Sequence, residues 1–261
     1  MPESKEKAQS LNRVVRILEC FSQERPELGV REVARLVELP SSVTGRLMLA
    51  MKDLGVLSQN PMTRTYSVGP RVLTWAGTYL STCDIRIVAH PYLDELHQAT
   101  HETISLYVLD GGDRVCIERL ESTQNIRFVA PRVGRRLPLH AGSAGKVMLA
   151  YLPEAAREAI LTNGPLEALT ECTIVDPALL RAELEKIRRQ GYAVSYGEWI
   201  LDASGVAAPI FDRNGEVQAA LTISGPTQRF HGDVLPEYVE KVKRVARVIS
   251  AGMGYRGGEG D

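Results

Sequence analysis

Apolar positions recur at spacings of three and four through the first quarter of the chain, and the recurrence is broken at Gly29 and at Pro40. Over residues 10–21 the stripe is Leu11, Val14, Val15, Leu18 and Phe21, one face of a helix that Ser10 is placed to cap. After a polar loop at 24–29 the stripe resumes as Val30, Val33, Ala34, Leu36 and Val37. Pro40 forbids its continuation, and Ser41 or Ser42 is placed to cap a third helix with Val43, Leu47 and Met51 inward, Leu54 following and Gly55 as terminator. Two strand-like runs, 56–58 and 65–68, flank a polar tip at 59–64 in which Asn60-Pro61 signals a turn, so a β-hairpin is predicted there.

Gly69-Pro70 opens a further helix to about residue 83, with Val72, Leu73, Ala76 and Leu80 on one side and Trp75 and Tyr79 on another. An apolar helix on two faces suits a connector that also packs against a second subunit. From Asp84 the pattern changes. A helix near 87–100 precedes β-rich runs at 103–109 and 115–120, split by the turn signal Asp110-Gly111-Gly112-Asp113. A third run, 126–130, leads through a basic turn at 132–136 to Leu139 and a helix start rich in Gly, Ser and Ala. Asp176-Pro177 caps a helix that reaches Gln190, with Gly191 as its terminator. Strands follow at 192–196, 206–211 and 217–223, the last two joined by a turn at 212–215, and an amphipathic helix at 233–251 closes the pattern. The glycine-rich tail, 253–261, is expected to be mobile. Hairpins with helices around them predict an α+β fold with an antiparallel sheet.

Composition adds bounds. The 261 residues leave room for two domains, and 44% hydrophobic content is ordinary for a chain with a real core. The formal net charge of −1 excludes a global basic field. Cys20, Cys83, Cys116 and Cys172 form no CxxC pair, which predicts reduced thiols. The N-terminus has no apolar signal core and no run is long enough to span a bilayer, so no membrane association and a cytoplasmic location are expected.

Residues 28–46 carry the first chemistry. A short amphipathic helix, a break at Glu38-Leu39-Pro40 and a second helix opening on hydroxyl side chains make a helix-turn-helix, a device for placing a helix N-terminus in a DNA groove. Ser41, Ser42 and Thr44 are candidates to donate to phosphates or base edges, and Arg46 to reach a phosphate or a guanine. Gly45 inside this helix costs about 1 kcal/mol against alanine, which points to close approach by DNA or by another helix. Arg64, at the hairpin tip, is placed for a phosphate or minor-groove contact. Ten Lys and Arg against eight Asp and Glu in residues 1–67 make a small surplus, so one copy of this unit is expected to bind DNA weakly.

Several stretches together resemble the IclR-type transcriptional regulators: QSLNRVVRILECF at 9–21, the helix-turn-helix, LHAGSAGKVMLAYL at 139–152, GYAV at 191–194 and VAAPIFDRNGEVQAALTISGP at 206–226. The match runs over roughly residues 9–252. It implies a winged helix-turn-helix DNA-binding domain at 1–68, a linker helix at 69–83 and a GAF-like effector-binding domain at 84–252, assembled as a homodimer or a dimer of dimers on a double-stranded operator. At 41–46 the family pattern resembles K-S-T-V-H-R, so Ser42 and Arg46 are kept while Gly45 replaces a larger reader.

The helix start near Ala141 offers N–H groups that approach an anion closely because Gly142, Ser143 and Ala144 are small. The resemblance implies that Gly142, Ser143, Ser195, Thr222 and Ser224 line the effector site. It also implies departures: Ser195 stands where the family is often acidic and Gly205 where it often has cysteine. With Trp199 as an aromatic wall, an organic or aromatic acid is the expected effector. Arg135 and Arg136 form a basic turn that either steers an anion or is simply solvated.

Other classes remain open at this point. His97 and His101 have the i, i+4 spacing of a metal pair but no third ligand, and exposed helix residues are the simpler reading. Cys116 reads as a core thiol. No nucleophile elbow, phosphate loop or dinucleotide fingerprint is present, so no catalytic residue and no cofactor is expected. The alternatives are a sensing module acting through protein partners and a metal-dependent enzyme with an accessory N-terminal domain.

Overall fold

The structure, a computed structural model, describes residues 2–22, 24–124 and 132–257. The chain divides into two units, Met1–Thr82 and Cys83–Asp261. The first holds α1 (Pro2–Glu19), α2 (Val30–Leu36), α3 (Ser41–Asp53), β1 (Leu57–Gln59), β2 (Tyr66–Val68) and α4 (Arg71–Thr82). Its core gathers Ile17, Cys20, Leu28, Val33, Val37, Met48, Met51, Val56, Leu57 and Tyr66.

Helix α1 begins at Pro2, well before the expected Ser10 cap. Proline suits the first helical turn, and the Lys, Glu, Ala and Gln that follow are good helix formers. Among the α1 side chains described, burial falls at the C-terminal end: Ile17 is buried and Val14, Leu18 and Phe21 pack at the margin, while Leu11 and Val15 are exposed. Helix α2 starts on a closed cap in which Gly29 N–H donates to Glu32 Oε2 at 2.7 Å. Leu36, expected inward, is exposed. In α3 the inner face is Thr44, Met48 and Met51, one residue out of phase with the Val43 and Leu47 expected there. Pro40 itself takes the N-cap position, so Ser41 is the first helical residue and neither serine caps. Strands β1 and β2 pair antiparallel, and Tyr66 also bridges Leu28, which ties the hairpin to the start of the helix-turn-helix. Helix α4 has no buried residue; Leu73, Trp75 and Tyr79 are exposed.

The second unit holds α5 (Asp84–Thr100), β3 (Thr103–Asp110), β4 (Asp113–Leu120), β5 (Arg136–Pro138), α6 (Gly142–Tyr151), α7 (Glu154–Thr162), α8 (Pro177–Gln190), β6 (Ala193–Tyr196), β7 (Ala203–Phe211), β8 (Val217–Pro226) and α9 (Val234–Gly252). The strands form one antiparallel sheet in the order β5-β4-β3-β8-β7-β6. The first hairpin and the last strands thus meet at its centre, with Ser105 opposite Thr222 and Thr103 opposite Ser224. Helix α6 packs on β6, β7 and β8 and is backed by α8, while α9 packs on β7 and β8 and α5 on β3 and α9. Seven successive residues of β7 are buried, as expected of a strand with both faces covered.

Strand β5 and helix α7 were not predicted. β5 is only three residues long, too short for a periodic signature, and α7 is a short, mostly exposed helix with one buried residue, Leu161. The expected run at 126–130 lies outside the described residues. The α8 caps are as predicted: Asp176 Oδ1 accepts from Ala178 and Leu179 N–H, and Gly191 is left-handed with φ 77°. The start of the tail is not loose. Tyr255 N–H donates to Ser250 O at 2.9 Å, and its ring lies 5.1 Å from that of Phe211.

Candidate functional site

Two sites emerge, one in each unit. On α3, Ser41, Ser42 and Arg46 are exposed on one face and, among the described residues, Arg46 is in no ion pair. Thr44 is not with them. Its side chain is wholly buried and its hydroxyl donates to Pro40 O at 3.2 Å, which satisfies the group inside the core and removes it from any groove. Gly45 faces α2: a Cβ there would stand 3.3 Å from Val30 Cγ1, so of the two expected reasons for a glycine the close helix is the one seen. Arg64 is exposed and left-handed, φ 61°, in the turn of the hairpin, where its N–H donates to Asn60 O at 2.9 Å.

In the second unit, the residues assigned to the effector meet in one cleft. Gly142, Ser143 and Ala144 at the start of α6, Ser195 on β6, Gly205 on β7, and Thr222 and Ser224 on β8 all line it, with Trp199 at the side. Its free volume is about 60 Å³. That is room for a few water-sized groups. Thr222 donates to Ser105 O at 3.3 Å and Ser224 to Thr103 O at 3.5 Å, so both hydroxyls brace the central strands while presenting an oxygen to the cleft. A Cβ on Gly205 would stand 3.1 Å from Ser143 Oγ.

Sequence reasoning missed the charged groups here. Lys146, on the second turn of α6, is 1% exposed; it binds Glu198 in an ion pair, donates to Val194 O at 3.0 Å and lies 3.5 Å from Glu183 Oε1. Glu198 Oε2 in turn accepts from Gly142 N–H at 2.9 Å. The helix start expected to bind an external anion therefore already holds a carboxylate of the chain itself, through one of its N–H groups. Thr173 fixes the Glu198 loop by donating to its carbonyl at 2.7 Å.

The other missed residue is Arg114, on β4. It is 4% exposed and lines the cleft beside Tyr107, whose ring centre lies 5.5 Å from its guanidinium carbon. Nη1 donates to Ala141 O at 2.8 Å and to Pro138 O. Among the described residues Nε–H meets no acceptor and no carboxylate pairs with the guanidinium. Burial pulls the Arg114 pKa down to about 10, and burial pushes that of Tyr107 above its usual value. Gly142 and Gly145 make the seat. A Cβ at 142 would stand 3.2 Å from Arg114 Nη2, and one at 145 would overlap Nη1 and stand 2.6 Å from Leu139 O. Gly142 is also left-handed, with φ 76°.

The remaining candidates fall elsewhere. Arg136 points away and pairs with Asp110 and Asp113 across the hairpin. His97 Nε2 bonds Glu121 O at 2.7 Å, and His101 is the left-handed cap of α5. Among the described residues no group of three or more His, Cys, Asp or Glu is placed to hold a metal ion. Cys116 is fully buried, with its thiol pKa pushed up to about 12 by that burial. Among the described residues no helix is long and apolar enough to cross a membrane.

A winged helix-turn-helix and a sheet domain with a polar, cation-bearing cleft define a ligand-responsive DNA-binding regulator. Comparison with known proteins agrees on the class. The family described as the C-terminal domain of the bacterial transcriptional regulator IclR matches residues 77–251, and the IclR helix-turn-helix domain matches residues 10–61. The chain belongs to the IclR family of ligand-responsive transcriptional regulators. It is 32% identical to the transcriptional repressor IclR of Escherichia coli over 248 residues, covering 94% of this chain and 90% of that one. A regulator structure from a Silicibacter species superimposes with a TM-score of 0.85 at 28% identity, over 96% of this chain and 98% of that one. An IclR homolog from Microbacterium hydrocarbonoxydans complexed with 4-hydroxybenzoate gives a TM-score of 0.77 at 32% identity, over 94% and 98% of the two chains.

Proposed function

We propose that the cleft beside α6 binds a small organic acid and that its occupancy changes how tightly the chain holds its operator. The observation that carries this reading is the cleft itself, which the five residues implied by the family resemblance line together with the buried Arg114. The homolog complexed with 4-hydroxybenzoate supports a carboxylate effector. The small free volume favours a compact acid, with Trp199 and Tyr107 confining its body.

DNA is read by Ser41, Ser42, Arg46 and Arg64 in this proposal, with two copies of α3 engaging two half-sites. The small positive surplus of residues 1–67 makes joint engagement by a homodimer or dimer of dimers the source of useful affinity. Such a regulator works in the cytoplasm, has no catalytic step, and needs a coupling of only about 1–3 kcal/mol between acid and operator, a 5–150-fold change. The test is operator binding by fluorescence anisotropy on DNA footprinted upstream of its own gene, titrated with a panel of aliphatic and aromatic carboxylates. An acid from the panel is expected to shift operator affinity at least fivefold. Arg46→Ala is expected to weaken operator binding several-fold and lower the salt slope by about one. Unchanged affinity at moderate salt overturns the assigned role of Arg46.

A further inference from the structure

We infer that Arg114 is the specificity-determining residue of the cleft: its guanidinium edge, rather than the start of α6, takes the carboxylate of the effector. This rests on the reading of the cleft as an acid-binding site. The Gly142 N–H at the helix start is occupied by Glu198 Oε2 at 2.9 Å, and Glu198 is neutralised by Lys146, so that pair offers an incoming anion no free charge. Arg114 differs on each count. It is 4% exposed, among the described residues it has no carboxylate partner, its Nε–H meets no acceptor, and it lines the cleft.

A buried cation with no carboxylate in direct contact is costly, since Glu198 and Asp113 act on it only from a distance, and two glycines make room for it. Gly145 is bare because a Cβ would overlap Nη1, and Gly142 because one would crowd Nη2. Nη1 donates to Ala141 O and Pro138 O, which fixes the plane of the fork, while Nε–H is buried with no acceptor among the described residues. A planar fork held in this way matches a carboxylate through two parallel hydrogen bonds. Tyr107 against the guanidinium on one side and Trp199 on the cleft wall fit a short acid whose remaining atoms are apolar. The hydroxyls of Ser143, Thr222 and Ser224 then contact the body of the ligand and not its charge. Glycines that merely admit a structural arginine would explain the seat but not an Nε–H left without an acceptor on a residue that lines the cleft.

The experiment compares acids with their neutral amides. Purified full-length protein is titrated by calorimetry with propionate, benzoate and 4-hydroxybenzoate and with the corresponding amides, using wild type, Arg114→Met, Arg114→Lys and Ser224→Ala. Wild type is expected to bind at least one acid tenfold or more tighter than its amide. Arg114→Met is expected to bring that ratio to about one, while Arg114→Lys keeps a reduced preference and Ser224→Ala weakens acid and amide alike. An Arg114→Met protein that keeps the wild-type ratio overturns the inference and leaves the acid-binding reading standing. Wild type that binds none of the acids overturns both. As a check that needs no variant, the Nε–H resonance of Arg114 in the wild-type proton–nitrogen spectrum is expected to shift on adding the binding acid and not its amide; an unmoved resonance at saturating acid also overturns the inference.

Discussion

Removing Glu198 tests whether the charged centre beside the cleft is built as described. Glu198→Ala leaves Lys146, 1% exposed, without its nearest carboxylate, and leaves Gly142 N–H without an acceptor. Breaking a buried pair from one side costs about 3–5 kcal/mol. Glu183, 3.5 Å from Lys146 and partly exposed, and the Val194 carbonyl remain to share the charge, so the low end applies, about 3 kcal/mol. For a unit of this size, about 2–4 °C per kcal/mol places the fall in melting temperature at about 6–12 °C. The assay is scanning calorimetry of the full chain, following the transition of the second unit by near-ultraviolet dichroism of Trp199. Lys146→Met combined with Glu198→Gln removes both charges while keeping shape and an acceptor for Gly142, and is expected to recover at least half of the loss. A melting temperature for Glu198→Ala within about 2 °C of wild type refutes the argument that this pair is a buried, mutually dependent unit.

Three further outcomes follow from separate parts of the chain. Thr44→Val, which deletes a satisfied buried hydroxyl, is expected to cost about 1 kcal/mol of stability in urea unfolding and leave operator affinity unchanged, whereas Ser42→Ala is expected to do the reverse. Gly145→Ala forces a methyl against Leu139 O and the Arg114 guanidinium; a loss of about 1–3 kcal/mol or more and a loss of acid binding are expected by thermal shift with and without the ligand. Asp212 caps the β7–β8 hairpin with bonds from Glu216 and Asn214 N–H, chiefly the former, which hold its pKa below 3.8. A depressed carboxylate contributes stability that is full above the unfolded pKa and is lost as pH falls through the folded one, so the wild-type stability advantage over Asp212→Ala is expected to shrink between pH 5 and pH 2, an interval of about three units around the usual carboxylate range.

Local chemistry was legible in the sequence; depth was not. The Asp176 and Gly191 ends of α8 and the turns at 110–113 and 212–215 depend on a few adjacent residues, and each stands where the residues place it. The five cleft residues were placed through the family resemblance and do converge. Thr44 was misassigned because the inner face of α3 depends on where Pro40 sets the first turn, and a polar threonine bonded to its own helix reads as surface until its hydroxyl acceptor is seen. Lys146 and Arg114 were invisible as buried cations because what permits their burial lies far off in sequence, Glu198 for one and the carbonyls of Pro138 and Ala141 for the other. Glycines 142 and 145 read as the opening of a helix, and only the packed guanidinium explains why both are bare.

The strand order β5-β4-β3-β8-β7-β6 also governs how the protein is born. At a synthesis rate of about 5–20 residues per second, the winged helix unit leaves the ribosome with its core complete while most of the sheet domain has yet to be made. The β3–β4 hairpin then waits for β8, its central neighbour, more than a hundred residues later in the chain, as the bond from Ser224 to Thr103 O records. Until β8 arrives, Arg114 and Tyr107 on one side and Thr222 and Ser224 on the other have no common wall, so the cleft comes late, with only α9 still to be made. A nascent or truncated chain lacking β8 carries the whole helix-turn-helix unit and, on the proposed reading of the cleft, no site for the acid.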